Sequence, residues 1–596
     1  LPALFFLENN QLSIGFVFKK ELHLGLNHLY YQPVQQIMYL KNDILFYLSY
    51  PMKNTLLCVL IFTCFYSKGQ TPTVGLLSNH LGNLDGYFLF SAVNSKDIFM
   101  INSCDKSVHK WEAINTPGLS EYFRPDGSLL RAGNSLNPVF LNGGEGGLIQ
   151  SLAWDGTVLW SYTISDSMQC QHHDILTLPN GNVLALVWER KSKAEAIAAG
   201  RDSTQVDQRG LWFNKVVELQ PIGADSAKIV WQWKEFDHLT QSFDNSKANY
   251  HANTSDPGLL HLNYRTYPGP DWVHMNALDY NPAFDQIMLS SRNLDEIYVI
   301  DHSTTMTEAS LHSGGNYGKG GDFLYRWGNA DSYGMGSIAN HQLYGQHNPQ
   351  WIKPGLPHEG EIILFDNGNG RPGGNYTSII RIVPPVDGAG NYSPSLPFGP
   401  AVHTEVYVDS IPARFYSAFI GGVQQLPDDQ VLVCNGMSGD FFVSDSSTRK
   451  TWEYICPSNQ FGTMSQGSTP NNNSTFRCTF YPSNYSGFNG KSFDLPQAIE
   501  SGALTYSCDL ITGVVNESDE SVFSAYPNPV TDGIVNVNTT ADKFTVRLYD
   551  VHGKIQLESR NNKHISTAGI SDGLYILCLQ TESGKVFRKK LIVSGK

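Results

Sequence analysis

The sequence predicts an all-β chain, a six-bladed β-propeller followed by a small Ig-like β-sandwich, and three observations support this. The 596 residues are rich in turn formers (54 Gly, 30 Pro) and aromatics and modest in charge, which favours many short strands over long helices or disorder. One short pattern, an apolar strand closed by a polar turn, recurs six times between residues 97 and 447. A composition shift at "GVVNESDES" (513–521) then sets apart a last stretch of short alternating strands.

Taken in order, residues 1–51 mix short apolar runs with polar breaks and sustain no period; they are expected to lie outside the mature protein. From Met52, "MKNTLLCVLIFTCFYSKG" sets a lysine before an apolar run of secretory length that ends in the small residues Ser67 and Gly69. This predicts a signal peptide over 52–69, cut near Gly69, and hence a secreted protein. The run is short for a membrane span.

Residues 70–515 are expected to form the propeller. The repeat reads "DIFMINS" (97–103), "GLIQSLAWDG" (147–156), "KVVELQPIG" (215–223), "EIYVIDHST" (296–304), "SIIRIVPP" (378–385) and "GDFFVSDSS" (439–447). A second strand follows each copy, and in five of six it carries tryptophan ("HKWE", "VLWSY", "IVWQW", "YRWGN", "TWEY"); the fifth, "TEVYVD", does not. Radial repetition of such units hides most sheet edges, whereas the other fold with this composition, a large sandwich, gives no reason for the recurrence. The longest polar insertions, around 236–270 and 306–322, are expected at the channel mouth. No CxxC pair suggests a zinc site, and Cys456 and Cys478, flanking "STPNNNSTF", are expected to close that loop with a disulfide. The formal net charge of −14, with no basic stripe, excludes a nucleic-acid partner.

Residues 516–596 carry Tyr526-Pro527-Asn528-Pro529, a turn from Asp550 to Gly553, Gly573-Leu574-Tyr575 and Lys589-Lys590. Together these resemble the type A C-terminal sorting domain of the Bacteroidota type IX secretion system. The resemblance implies that the secretion machinery is a partner, that the protein crosses the outer membrane, and that this module is removed.

The candidate chemistry lies in histidines. In three units the strand after the aromatic one opens with histidine: "HHDILTLPNG" (172–181), "HMNALDYNPAFD" (274–285) and "HNPQWIKPG" (347–355). Equivalent positions in neighbouring blades converge on the channel mouth. Asn276 follows His274 on the same side of its strand, and Arg292 begins the return connection. Converging imidazoles suit a metal-dependent hydrolase or lyase. They suit equally nucleophilic catalysis on an anionic ester, with arginine and asparagine holding its oxygens. A secreted propeller that binds without turnover is the third reading.

"DWVHMNALDYNPAFDQIMLSSRNLDEIYVID", "RWGNADSYGM", "YGQHNPQWI" and "GEIILFDNGNGRP" are similar to the bacterial arylsulfate sulfotransferases, PAPS-independent six-bladed propellers, over most of residues 80–455. The resemblance implies transfer of a sulfuryl group from a phenolic sulfate donor to a phenol acceptor through a sulfohistidine, with no cofactor and no metal. His347 then matches the sulfurylated histidine, His274 and Asn276 the His-x-Asn pair, and Arg292 the sulfate-binding arginine. The first histidine is His172 by one strand alignment and His173 by another. Tyr333, Tyr344 and Trp351 are candidates to stack on the phenols. The family's N-terminal β-sandwich has no counterpart ahead of "GYFLF", which leaves dimerisation open, and no residue around "RFYSAFIGG" is assigned.

Overall fold

The computed structural model describes residues 3–8, 11–16, 71–81, 84–494, 497–503, 523–550, 555–581 and 586–594. The signal segment 52–69, the stretch 513–521 and most of the turn from Asp550 to Gly553 lie outside them. The chain divides into two units, 1–69 and 70–596; in the first, Ala3–Glu8 pairs with Gln11–Phe16 as an antiparallel hairpin.

In the second unit, six antiparallel sheets follow one another along the chain. Sheets two to five are each built from consecutive strands. Their first strands are Pro117–Phe123, Gln169–Thr177, Met275–Asn281 and His347–Trp351. Sheet six begins with Gly422–Gln425 and takes Gly75–Asn79, from the start of the unit, as its outermost strand. Sheet one takes its first strand, Thr475–Pro482, from far along the chain and pairs it with Gly86–Ala92. The six first strands neighbour one another in a closed cycle, so the sheets form a ring shut by strands from both ends of its sequence.

All six copies of the repeat are third strands, and the aromatic segments are fourth strands. The tryptophans have a physical reason. Each indole donates across to the next sheet: Trp111 Nε1 to Ala153 O (3.0 Å), Trp160 to Ser226 O (2.8 Å) and Trp231 to Thr304 Oγ1 (3.1 Å). Trp327 donates to Pro400 O (2.8 Å), and Trp452 to Ser103 O (2.9 Å) across the closure between sheets six and one. Burying an indole costs free energy unless its N–H finds an acceptor, and here the acceptor is always a neighbouring sheet.

The first strands are irregular where they enter the ring. Those of sheets one to five each carry a register shift near their start. Leu119, His173, His274, Asn348 and Ile420 all have φ between 49° and 88°. Bulges re-aim side chains, and left-handed non-glycine residues persist only where the surroundings over-determine them.

Cys456 and Cys478 do not form the expected disulfide: both are buried thiols in the core between sheets six and one. Burial pushes the Cys456 thiol up to about 11, so it stays protonated. Flanking a loop in sequence did not bring the two sulfurs together, because each chain segment is committed to its own strand.

After the ring, a three-stranded sheet (Phe523–Tyr526, Ile534–Thr539, His564–Ser566) packs on a four-stranded one (Ile555–Arg560, Phe544–Tyr549, Gly573–Thr581, Val586–Val593). Alternate residues such as Val535, Val537, Val546, Leu548, Leu577 and Leu579 face inward to form its core. The Tyr-Pro-Asn-Pro stretch has a structural role here. Asn528 donates to Lys590 O and accepts from Ile592 N, both at 2.8 Å, and so clamps the last strand.

Candidate active site

Where the first strands begin, a cavity of about 510 Å³ is lined by His173, His274, His347 and Arg292, with Tyr267 and Phe419 among the other walls. A larger cavity, about 770 Å³, lies at the opposite ends of the same strands, is lined largely by turns and includes no histidine. The three histidines that line a cavity therefore share the smaller one, with Arg292.

His347 is buried, and its tautomer is set by its neighbours. Asn367 donates its amide to Ser417 O (2.7 Å) and Ile420 O (3.1 Å), so its Oδ1 faces His347 Nδ1 at 2.7 Å and the proton sits on Nδ1. Nε2 keeps its lone pair and accepts weakly from Ile420 N–H at 3.3 Å. Burial, then the Arg292 charge, holds this imidazole well below the usual histidine range. The neutral ring is thereby favoured, with its lone pair on Nε2.

His274 is held differently. Its Nδ1 lies 2.6 Å from Oδ2 of Asp271, a buried carboxylate that also accepts from Asn142 Nδ2 at 3.1 Å. Burial favours the neutral acid, yet the His274 charge and these hydrogen bonds prevail and keep Asp271 below its ordinary value. An imidazole held on a carboxylate through Nδ1 offers Nε2 for proton transfer.

His173, not His172, lines the cavity. His172 lies behind it, stacked on Trp188 (centroids 4.1 Å apart, 6° between planes), and burial takes it down to about 3. The two Nδ1 atoms are 2.9 Å apart, so one donates and the other accepts. The His173 ring meets His274 edge-on at 4.7 Å, and burial followed by the His274 charge holds it well below the usual range. Gly144 makes room for it: a Cβ there would fall 2.1 Å from His173 Cε1.

Arg292 enters the cavity lightly tethered. Nη1 donates to Asn293 Oδ1 (3.0 Å) and reaches Tyr267 Oη at 3.5 Å, while Nη2 lies 3.3 Å from Ala418 O. Among the described residues no carboxylate pairs with it, which leaves its charge for an anion. Asn276 does not line the cavity. It is fully buried and donates to Gln346 O at 2.8 Å, bracing the backbone that leads into His347.

The aromatic candidates are replaced by others. Tyr333 and Trp351 are buried in the ring, and Tyr344 turns its hydroxyl to His341 O (3.2 Å). Tyr267 and Phe419, about 37% and 46% exposed, stand at the cavity instead. Both sit in irregular segments, where no periodicity could reveal them. Also unforeseen is the buried pair of Asp174 with Arg477 (2.9 Å), which joins the first strands of sheets three and one below the histidines.

A family model described as arylsulfotransferase (ASST) matches residues 149–477, and one described as secretion system C-terminal sorting domain matches 524–594. The second match indicates secretion in Bacteroidota-type bacteria. No curated protein sequence matches the chain. Similar solved structures include a protein of unknown function from Bacteroides caccae (9% identity, 62% of this chain and 93% of that one, TM-score 0.34). Others are a virginiamycin B lyase from Staphylococcus aureus (9%, 65% and 89%, 0.29) and a putative 6-phosphogluconolactonase from Bacteroides fragilis (9%, 67% and 98%, 0.30). Superpositions this loose do not extend to function. The arylsulfotransferase match spans more than half of the residues, and the chain belongs to the arylsulfotransferase family.

Proposed function

We propose that the protein transfers a sulfuryl group from a phenolic sulfate ester to a second phenol, independently of PAPS, by two displacements through a sulfohistidine on His347. We read the ring of residues 70–515 as one six-bladed propeller with this site at its mouth. The observation that carries the reading is His347 itself, a neutral imidazole whose Nε2 lone pair shares a cavity with Arg292.

In the first displacement Nε2 attacks sulfur, an N–S bond forms, and the S–O bond to the donor ring breaks. The departing phenolate takes a proton from Nε2 of His274, which Asp271 steadies. In the second, the acceptor phenol gives its proton back to His274, its oxygen attacks sulfur and the N–S bond breaks. Arg292 grips two sulfuryl oxygens with its planar fork, and His173 donates to the third. Asn276 acts through the backbone before His347. Outside the cell the ring would act alone, after loss of the signal segment and the sorting module.

Initial-rate kinetics with a nitrophenyl sulfate and a phenol test this. Parallel double-reciprocal lines, and a sulfo adduct on the His347 peptide after donor alone, are expected. Intersecting lines, or an adduct elsewhere, would overturn it. A transition metal bound at wild-type stoichiometry and lost in His347→Ala would favour a metal-dependent hydrolase instead.

A further inference from the structure

The two long insertions hold a second cluster, away from the cavity, and the structure assigns to it a binding site for a divalent transition metal of the zinc type. His238 comes from the first insertion, His312 and Asp322 from the second. Both Nδ1 atoms face one oxygen: His238 Nδ1 and His312 Nδ1 each lie 2.8 Å from Asp322 Oδ1. The three ligand atoms all fall within 4.8 Å of one another.

The protons explain why a cation belongs there. His238 Nε2 is 2.9 Å from Ala309 O, and a carbonyl can only accept, so that nitrogen carries the hydrogen. With that nitrogen committed to the carbonyl, Nδ1 and the Asp322 carboxylate face one another at a side chain with 0% exposure, a place for one shared cation. One metal ion satisfies both imidazoles and the carboxylate at once. A backbone carbonyl on the far nitrogen is the usual outer support of a metal-bound histidine. Two imidazoles and one carboxylate suit zinc better than calcium or magnesium. The His312 side chain is 60% exposed, so water can complete the coordination. Zinc needs ligand atoms roughly 3.3 Å apart, so the 2.8 Å pairs would open by about half an ångström.

The loop is fitted to this arrangement. A Cβ on Gly321 would lie 2.2 Å from Ala309 O and 2.5 Å from His238 Nε2, and Gly321 O accepts from Trp233 Nε1 at 2.7 Å. An ion here pins the insertion that carries Tyr267 to the one that follows the third strand of sheet four.

The test uses the full-length protein purified without an affinity tag, stripped with chelator and titrated with zinc chloride against a chromogenic chelator. One zinc per chain and a higher Tm on loading are expected. His312→Ala, at an exposed position that leaves the fold unchanged by circular dichroism, should bind at least about tenfold more weakly. Asp322→Asn should do likewise, and His347→Ala should still bind one equivalent. Wild-type protein that takes up no zinc, or His312→Ala that binds as tightly, would overturn the site. Zinc lost in His347→Ala but kept in His312→Ala would move the metal to the channel.

Discussion

The fourth strands and the first strands of the ring follow opposite rules. Outside, one device repeats: an indole in five of the six sheets donates to the next sheet around. Inside, the left-handed residue at the entry of a first strand changes from sheet to sheet: Leu119 in sheet two, His173 in three, His274 before four, Asn348 next to His347 in five and Ile420 before six. Uniformity holds the ring together, and deviation from uniformity builds the site. The mouth accepts left-handed residues and buried imidazoles that the wall would not need.

The widest gap between the two regions should appear on removing the proposed nucleophile. His347→Ala is expected to lose several orders of magnitude in transfer rate with little change in Tm, because the covalent route disappears. An active alanine variant would take the nucleophile out of this strand. Asp271→Asn should cost roughly 10³-fold or more, since the amide can present its N–H to His274 and reverse the tautomer. Rates near wild type would mean that His274 moves no proton. Arg292→Lys keeps the charge but loses the fork, and roughly 10²-fold loss is expected in kcat/KM for the donor.

At the wall the effect should be on stability alone. Trp452→Phe removes one of the two donors to Ser103 O at the closure, Asn79 Nδ2 being the other, and is expected to cost about 1 kcal/mol, read as a lower Tm with unchanged kcat. A lower kcat at temperatures where the variant is folded would erase the distinction between wall and mouth. A further effect is on pH dependence. His172 titrates near 6.5 when unfolded but at about 3 in the fold. The unfolded chain binds the extra proton first, so this contribution is present above pH ~6.5 and is lost as pH falls toward 3. Tm measured across that window should fall on acidification, and less so in His172→Gln.

The same contrast explains what could be read from the sequence. The repeat was legible because every third strand is buried on both faces and every fourth strand needs its indole, so the residues recur with the geometry. Three histidine strands were legible for the same reason. The choice between His172 and His173 was not, because a register shift between Gln171 and Ile175 breaks the alternation by which faces are counted. Asn276 followed the alternation and so was placed beside His274, yet it turned out to bond Gln346 across the strands. Tyr267, Phe419 and Asp271 enter from connections, whose paths depend on the closed ring and leave no period in the chain.

The strand that closes sheet one does more than seal an edge. Ser474 lines the cavity, Phe476 lies 6.3 Å from the His173 ring, and Arg477 anchors Asp174 beneath the histidines. All three lie about 400 residues beyond Gly75, where the first ring strand starts, and after His173, His274 and His347. A chain interrupted before residue 474 would possess each proposed reacting group and still have no site. The proposed transfer would then require a closed ring, so an unfinished chain would carry the reacting groups without the activity.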